Sequence, residues 1–188
     1  CSLKPADVDR VCVSIGPGGY TSIRVACAVA KSIAIAGVAA RPDRAPVMCV
    51  GVPSAISVLA ATSTETRARR LAVALAGKDQ TAFITVFEPG AIDRGGPFPS
   101  GCLMDAEAFS GLDVHTLIAD RHLPASIRQS ADQRSIPVEE PRFDPAALLR
   151  VGARLRAGPS LELLPLYPRE PDAVTLWRQR HGSASKPL

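Results

Sequence analysis

The residues best placed to do chemistry stand in one run, Gly16-Pro17-Gly18-Gly19-Tyr20-Thr21. A strand that turns through glycines into a helix can aim backbone N–H groups at an anion, and the helix dipole adds about half a positive charge at the same spot. No Lys-Ser or Lys-Thr pair follows these glycines, so the Walker pattern is absent, and the spacing is not that of a dinucleotide fingerprint. Two readings therefore stand. The loop is a phosphate cradle, or it is a tight turn that uses glycine only for its backbone conformation.

No other group of residues forms a catalytic or metal-binding pattern. His115, His122 and His181 are scattered, without an H-x-x-x-H pair. The five cysteines, Cys1, Cys12, Cys27, Cys49 and Cys102, are odd in number and irregular in spacing. That arrangement points to reduced thiols in a cytoplasmic protein rather than to a disulfide frame or a zinc site. Glu139-Glu140 is a carboxylate pair in a Pro-flanked stretch, where a solvated edge is the plainer reading. Asp7 and Asp9, just ahead of the first apolar run, could fringe a site, with helix or strand capping the plainer reading. Catalytic and metal-ligand assignments are accordingly none.

The elements that must position the glycine run are legible from patterning. Val8–Ile15 reads as a buried strand, and a helix is expected from Thr21 to Ala36 with Gly37 as its C-terminal stop. Pro46–Val52 is a second apolar strand, and Pro53-Ser54 opens a helix to Ala61. Ser63–Arg70 is polar and reads as a connection. Leu71–Leu75 and Ala82–Glu88 are expected to form a hairpin about Gly77-Lys78-Asp79-Gln80. Glu88–Cys102 reads as a loop, Asp105–Phe109 as a helical turn and Val114–Ala119 as a strand. Pro145–Arg156 fits an amphipathic helix with Asp144 at the N-cap. From Ser183 onward a frayed tail is expected. Strands alternating with helices indicate an α/β architecture.

The helix after the glycines carries the second signal. Ile23, Val25, Cys27, Val29, Ile33 and Ile35 point in several directions around the helical wheel, and only Thr21, Arg24 and Lys31 form a narrow polar stripe. Such a helix must be covered on more than one side. Its alanines allow close approach of another helix. It is either wholly interior or it meets another protein.

Composition sets the outer limits. The chain has 188 residues, 46% of them hydrophobic and 4% aromatic, so small aliphatic side chains must fill its core. A net charge of +4 permits nucleic-acid contact without requiring it. No secretory signal or membrane span is expected, because Lys31 interrupts the apolar stretch from Val25 to Ala40. Arg169, Arg178, Arg180, His181 and Lys186, with Trp177 among them, could touch nucleic-acid phosphates or simply be solvated.

Gly16–Arg24 (GPGGYTSIR) and Ala30–Ala34 (AKSIA) resemble the GPGSFTGLR and AKGLA segments of the TsaB (YeaZ) family. Pro46–Ser54 (PVMCVGVPS) resembles that family's P-x-x-G-V-S/T turn. Pro165–Glu170 (PLYPRE) resembles its P-x-Y-L-R closing motif, through Pro165, Tyr167 and Arg169, with Pro168 in place of leucine. At Ala76-Gly77-Lys78 the chain departs from the family's Asp-Ala-Arg, which puts any nucleotide or interface role of that turn in doubt.

The resemblance implies an actin-like ATPase (ASKHA, ribonuclease H-like) α/β fold of two lobes. Residues 1–68 would be the remainder of the N-terminal lobe, 69–164 a second, smaller lobe, and 165–188 a segment returning to the first lobe. The family usually begins with a further hairpin and helix, so the N-terminal lobe is expected to be incomplete, with an exposed sheet edge that favours self-association. The implied function is that of a non-catalytic scaffold. It would pair with a TsaD-like enzyme and a TsaE-like ATPase in forming threonylcarbamoyladenosine on tRNAs that read codons beginning with A. Arg24, Cys27, Ala28 and Lys31 would lie at the partner interface. The implied protein has no cofactor of its own, ATP or ADP could sit at the partner interface, and tRNA would be met through the complex. The alternatives are a nucleotide-dependent enzyme that uses Gly16–Thr21 as its cradle, and a free-standing structural homodimer.

Overall fold

Two β-sheets share one helix between them. The computed structural model describes residues 4, 7–40, 43, 45–94, 97–170 and 172–181. The first sheet pairs β1 (Arg10–Gly16) in parallel with β2 (Met48–Pro53). The connection is α1 (Tyr20–Ala40). Side chains alternate across this sheet as the pleat requires. Val11, Val13 and Ile15 face the buried stripe of α1, made of Ile23, Cys27, Ala30 and Ala34. Cys12, Val50 and Val52 face the other way, into the larger core.

That larger core is organised by α2 (Ser54–Ala61), whose residues Ser54–Leu59 are all buried. On its far side lies the second sheet, in the order β5-β4-β3-β6-β7. A four-residue helix, α3 (Thr64–Arg67), leads into it, with the Ser63 hydroxyl accepting from the Thr66 N–H at 3.1 Å. Strands β3 (Leu71–Lys78) and β4 (Thr81–Phe87) form an antiparallel hairpin. The turn is at Asp79-Gln80, and the register shifts between Leu75 and Lys78, where Ala76 adopts a positive φ of 53°. Strand β5 (Cys102–Met104) joins β4 antiparallel. Strands β6 (Thr116–Ala119) and β7 (Val138–Glu139) extend the other edge in parallel.

The continuous apolar run of β3 is explained by burial on both faces. Leu71, Val73 and Leu75 meet α2, while Ala72 and Ala74 meet a separate cluster with Phe109 and Ile127. That second cluster is roofed by α4 (Ala106–Ser110) and α5 (Ala125–Gln133). Helix α6 (Pro145–Gly152) packs on α2 and on both strands of the first sheet. A 3-10 turn at Ser160–Glu162 and a final helix, α7 (Asp172–His181), complete the described chain.

Several sequence expectations need correction. Helix α1 does not stop at Gly37 but continues to Ala40. A Cβ on Gly37 would lie 2.4 Å from Val47 Cγ2, so the glycine serves close packing rather than termination. Helix α6 ends at Gly152, short of Arg156. Its last carbonyls turn outward to the Arg10 guanidinium, which donates to Ala153 O at 3.3 Å and Gly152 O at 3.5 Å. The supposed connection Ser63–Arg70 contains α3. Elements β5, α5, β7 and α7 were not legible at all, while the tail from Ser183 lies outside the described residues. Asp144 caps α6 as expected, accepting from the Ala146 N–H at 2.9 Å.

Candidate functional site

The glycine run closes β1 and opens α1, and its first residue is the most constrained. Gly16 is buried with φ at +109°, a conformation side chains rarely adopt. A Cβ there would lie 2.8 Å from both Ile23 Cδ1 and Leu166 O. The Gly16–Pro17 peptide is cis. Gly18 and Gly19 are exposed, and Gly19 O accepts the Ile23 N–H at 3.1 Å as α1 begins.

What lies over this loop is the C-terminal segment. Leu166 N–H donates to Ile15 O at 2.7 Å, which lays the Pro165–Arg169 stretch beside the end of β1. The Tyr167 ring then meets the Tyr20 ring with centroids 5.0 Å apart. Arg24 stands over the other part of Tyr20, 5.2 Å from its centroid, and donates to the Tyr20 hydroxyl at 3.3 Å. The loop therefore has Leu166 and Tyr167 against it, and the tyrosine of its first helical turn packs at a tilt on Tyr167. Gly16 is thus held as a buried turn, while Gly18, Gly19 and Thr21 stay open to solvent.

Arg169 reaches across to the second sheet. Its guanidinium donates to Ala76 O at 2.7 Å, Thr81 O at 2.9 Å and Thr81 Oγ1 at 2.7 Å. One side chain thus ties the C-terminal segment to the irregular end of the β3–β4 hairpin. The planar fork of arginine suits three acceptors that converge from two strands. The unusual Ala76 backbone is what turns its carbonyl toward Arg169. Pro165 is half-buried and forms part of the same strap.

Of the four interface candidates on α1, Arg24 and Ala28 are exposed and Lys31 is half-buried. Cys27 is a correction: it is 3% exposed and belongs to the face packed on β1 and β2. The outer face instead presents Val25, Val29, Ile33, Ile35 and Val38, each between 43% and 61% exposed. By length and composition alone the Tyr20–Ala39 stretch could also cross a bilayer, contrary to the sequence expectation. Its inner stripe is nevertheless built into the core, and Lys31 interrupts its middle.

Burial pushes the Cys12, Cys27 and Cys49 thiols above the ordinary range, with Lys31 pulling the last two part of the way back and Arg10 acting likewise on Cys12. Such thiols stay protonated and unreactive at neutral pH. Cys102 is exposed, and Cys1 lies outside the described residues. Among the described residues no three His, Cys, Asp or Glu side chains group to hold a metal ion. His115, His122 and His181 are all exposed, and the His181 ring stacks on Trp177. Of the basic tail, Arg169 is committed to the hairpin and Arg178 pairs with Glu170 at 2.5 Å. Arg180 is exposed, and Lys186 lies outside the described residues.

With this geometry in view, the chain can be set beside known proteins. A family model described as TsaD, tRNA N6-adenosine threonylcarbamoyltransferase, matches residues 1–91. No curated protein matches the chain. YeaZ from Pseudomonas aeruginosa superposes with a TM-score of 0.65 at 16% identity, over 87% of this chain and 76% of that one. A second structure, described as an uncharacterized protein with similarity to peptidase YEAZ from Pseudomonas aeruginosa, gives a TM-score of 0.61, also at 16% identity. The match there spans 89% of this chain and 76% of the other. At that identity the likeness speaks for the fold, and the fold is of the actin-like ATPase (ASKHA) type, as the sequence motifs implied.

Proposed function

We propose that this chain is a non-catalytic scaffold subunit that pairs with a TsaD-like enzyme in forming threonylcarbamoyladenosine on tRNA. The observation that carries the reading is the outer face of α1, where five aliphatic side chains stand half-exposed along a helix whose inner face is fully packed. Isolated exposed apolar residues are ordinary, but Val25, Val29 and Ile33 recur every four residues along one stripe, and such a stripe marks an interaction surface. The family-model match to TsaD over residues 1–91 and the fold shared with YeaZ support the choice of process. The packing of Gly16 against Leu166 and of Tyr20 against Tyr167 supports a role outside the chemical step. In this reading Arg24, Ala28 and Lys31 border the contact, a TsaE-like ATPase completes a cytoplasmic assembly, ATP or ADP is held at the subunit interface, and tRNA is engaged by the complex.

The test is reconstitution with a TsaD-like partner. A stable heterodimer is expected, with tRNA modification that fails when this chain is left out. Ala28→Arg should weaken the heterodimer by at least tenfold, because a long cation would be buried without a counter-charge. Modification that proceeds at full rate without this chain would refute the proposal.

A further inference from the structure

A cleft of about 560 Å3 opens between the two sheets, within the size range of small-molecule sites. Its walls come from six parts of the chain: Ile15 and Pro17 at the end of β1, the β2–α2 junction at Pro53 and Ile56, Phe83 and Thr85 on β4, the Phe98–Gly101 segment, Leu155 with Arg156, and Tyr167 with Pro168 on the C-terminal strap. The lining is mostly apolar, and Arg156 is the one charged side chain in it among the described residues.

Two polar groups in this lining lack partners. Arg156 is exposed and makes no ion pair or hydrogen bond among the described residues. Thr85 is 3% exposed, and its hydroxyl has no hydrogen-bond partner among the described residues. A Cβ built on Gly101 would lie 2.4 Å from Thr85 Oγ1 and 2.4 Å from Phe83 Cε1. The hydroxyl therefore points at Gly101, and the absence of a side chain there keeps the cleft open above it. The Thr85 hydroxyl faces the open cleft, where a ligand acceptor would take the place of water. Arg156 also borders an adjoining chamber of about 290 Å3 that contains Glu162, whose carboxylate disfavours an anion on that side.

We infer that this cleft binds a small monocarboxylic acid with a ring-sized apolar body. The carboxylate meets the Arg156 guanidinium, an acceptor on the ligand takes the Thr85 hydroxyl, and the apolar body packs against Phe83, Phe98 and Ile56. A single unpartnered cation matches one negative charge, and the apolar walls disfavour a polyphosphate. The inference goes beyond the scaffold reading and does not depend on it, since it concerns the isolated chain and a surface other than the outer face of α1.

The experiment uses 2-naphthoate as the probe, with 2-naphthalenemethanol and AMP as comparators, each titrated into the full chain by calorimetry and by amide chemical shifts. Naphthoate should shift the Phe83, Thr85 and Gly101 amides saturably and bind at least fivefold more tightly than the neutral alcohol. Arg156→Gln should remove that fivefold preference while leaving binding of the alcohol unchanged. Thr85→Val, which keeps the shape of the side chain, should weaken naphthoate by about threefold. The inference is overturned if naphthoate moves no cleft amide, if Arg156→Gln binds it within twofold of the parent, or if AMP binds as tightly.

Discussion

Helices α1 and α2 leave the same sheet by similar routes and end in opposite environments. Each follows a parallel strand through a Pro-containing junction, and each is apolar nearly all round. Helix α2 is closed in by the first sheet, the second sheet and α6, so even Ser54 and Ser57 are buried. Among the described residues helix α1 is closed in on one side only, by β1, β2 and the 3-10 turn. A helix apolar over its whole circumference signals burial, but the signal does not say which chain supplies the cover. In α2 the cover is intramolecular. In α1 half of it must come from elsewhere or go unmade, and that difference is why α1 carries the functional proposal.

The comparison breaks most violently at the centre of α2. Val58 is fully buried between the sheets. Val58→Asp would bury a carboxylate without a partner, at a cost of about 4 kcal/mol or more. A domain at the lower end of ordinary stability, about 5 kcal/mol, would keep only about 1 kcal/mol of it. Urea denaturation followed by circular dichroism checks this, and a variant with a normal midpoint would mean that α2 is not the shared core.

A smaller effect is expected where the C-terminal strap ties the hairpin. Arg169→Met removes three charge-assisted hydrogen bonds and leaves Ala76 O and Thr81 O to be satisfied by water. The expected loss is about 2–3 kcal/mol. Hydrogen exchange should show the loss concentrated at the β3–β4 turn rather than at β6 or α5. Protection unchanged at Ala76–Thr81 would show that the clamp carries no energy.

The next effect has the opposite sign. Ser57 Oγ is buried without a hydrogen-bond partner, while its neighbour Ser54 shares a 2.8 Å hydrogen bond with Ser14. Ser57→Ala should stabilise the chain by about 1 kcal/mol, and Ser54→Ala should destabilise it by a similar amount. Thermal melts of the two variants separate these outcomes. A loss of stability in Ser57→Ala would mean that the hydroxyl has a partner after all.

How much of this was readable beforehand follows from what local pattern can encode. The order β1, α1, β2, α2 and the β3–β4 hairpin were legible because long apolar runs and Gly or Pro junctions are local signals. Gly37 was misread because a glycine needed for contact with Val47 looks the same in sequence as one that stops a helix. Strands β5 and β7 are three and two residues long, too short to show a period. Helix α5 has polar residues at most positions and only Ile127 and Ala131 buried. The triad of acceptors around Arg169 and the unpartnered Arg156 and Thr85 are tertiary facts. Each depends on segments more than 60 residues apart, so neither had a signature in the chain. The motif at Pro165, Tyr167 and Arg169 was visible as a resemblance, yet its work as a strap over the glycine loop and the hairpin was not.

The smallest expected change lies on the outer face of α1, and it decides the comparison. Val29 is 52% exposed. Its replacement by aspartate touches no intramolecular core, and the helix propensities of the two residues are close. Val29→Asp should therefore leave the stability of the isolated chain within about 0.5 kcal/mol of the parent, against the loss of about 4 kcal/mol or more expected from the same kind of change at Val58. The same variant should lose most of its affinity for a TsaD-like partner, because the aspartate would then be desolvated against an apolar surface. Paired urea titrations and a binding titration measure both quantities on one preparation. If Val29→Asp costs the isolated chain 2 kcal/mol or more, the outer face of α1 is already covered within the molecule and the contrast with α2 is lost. If stability and affinity are both unchanged, α1 is an ordinary surface helix and the partner must dock elsewhere.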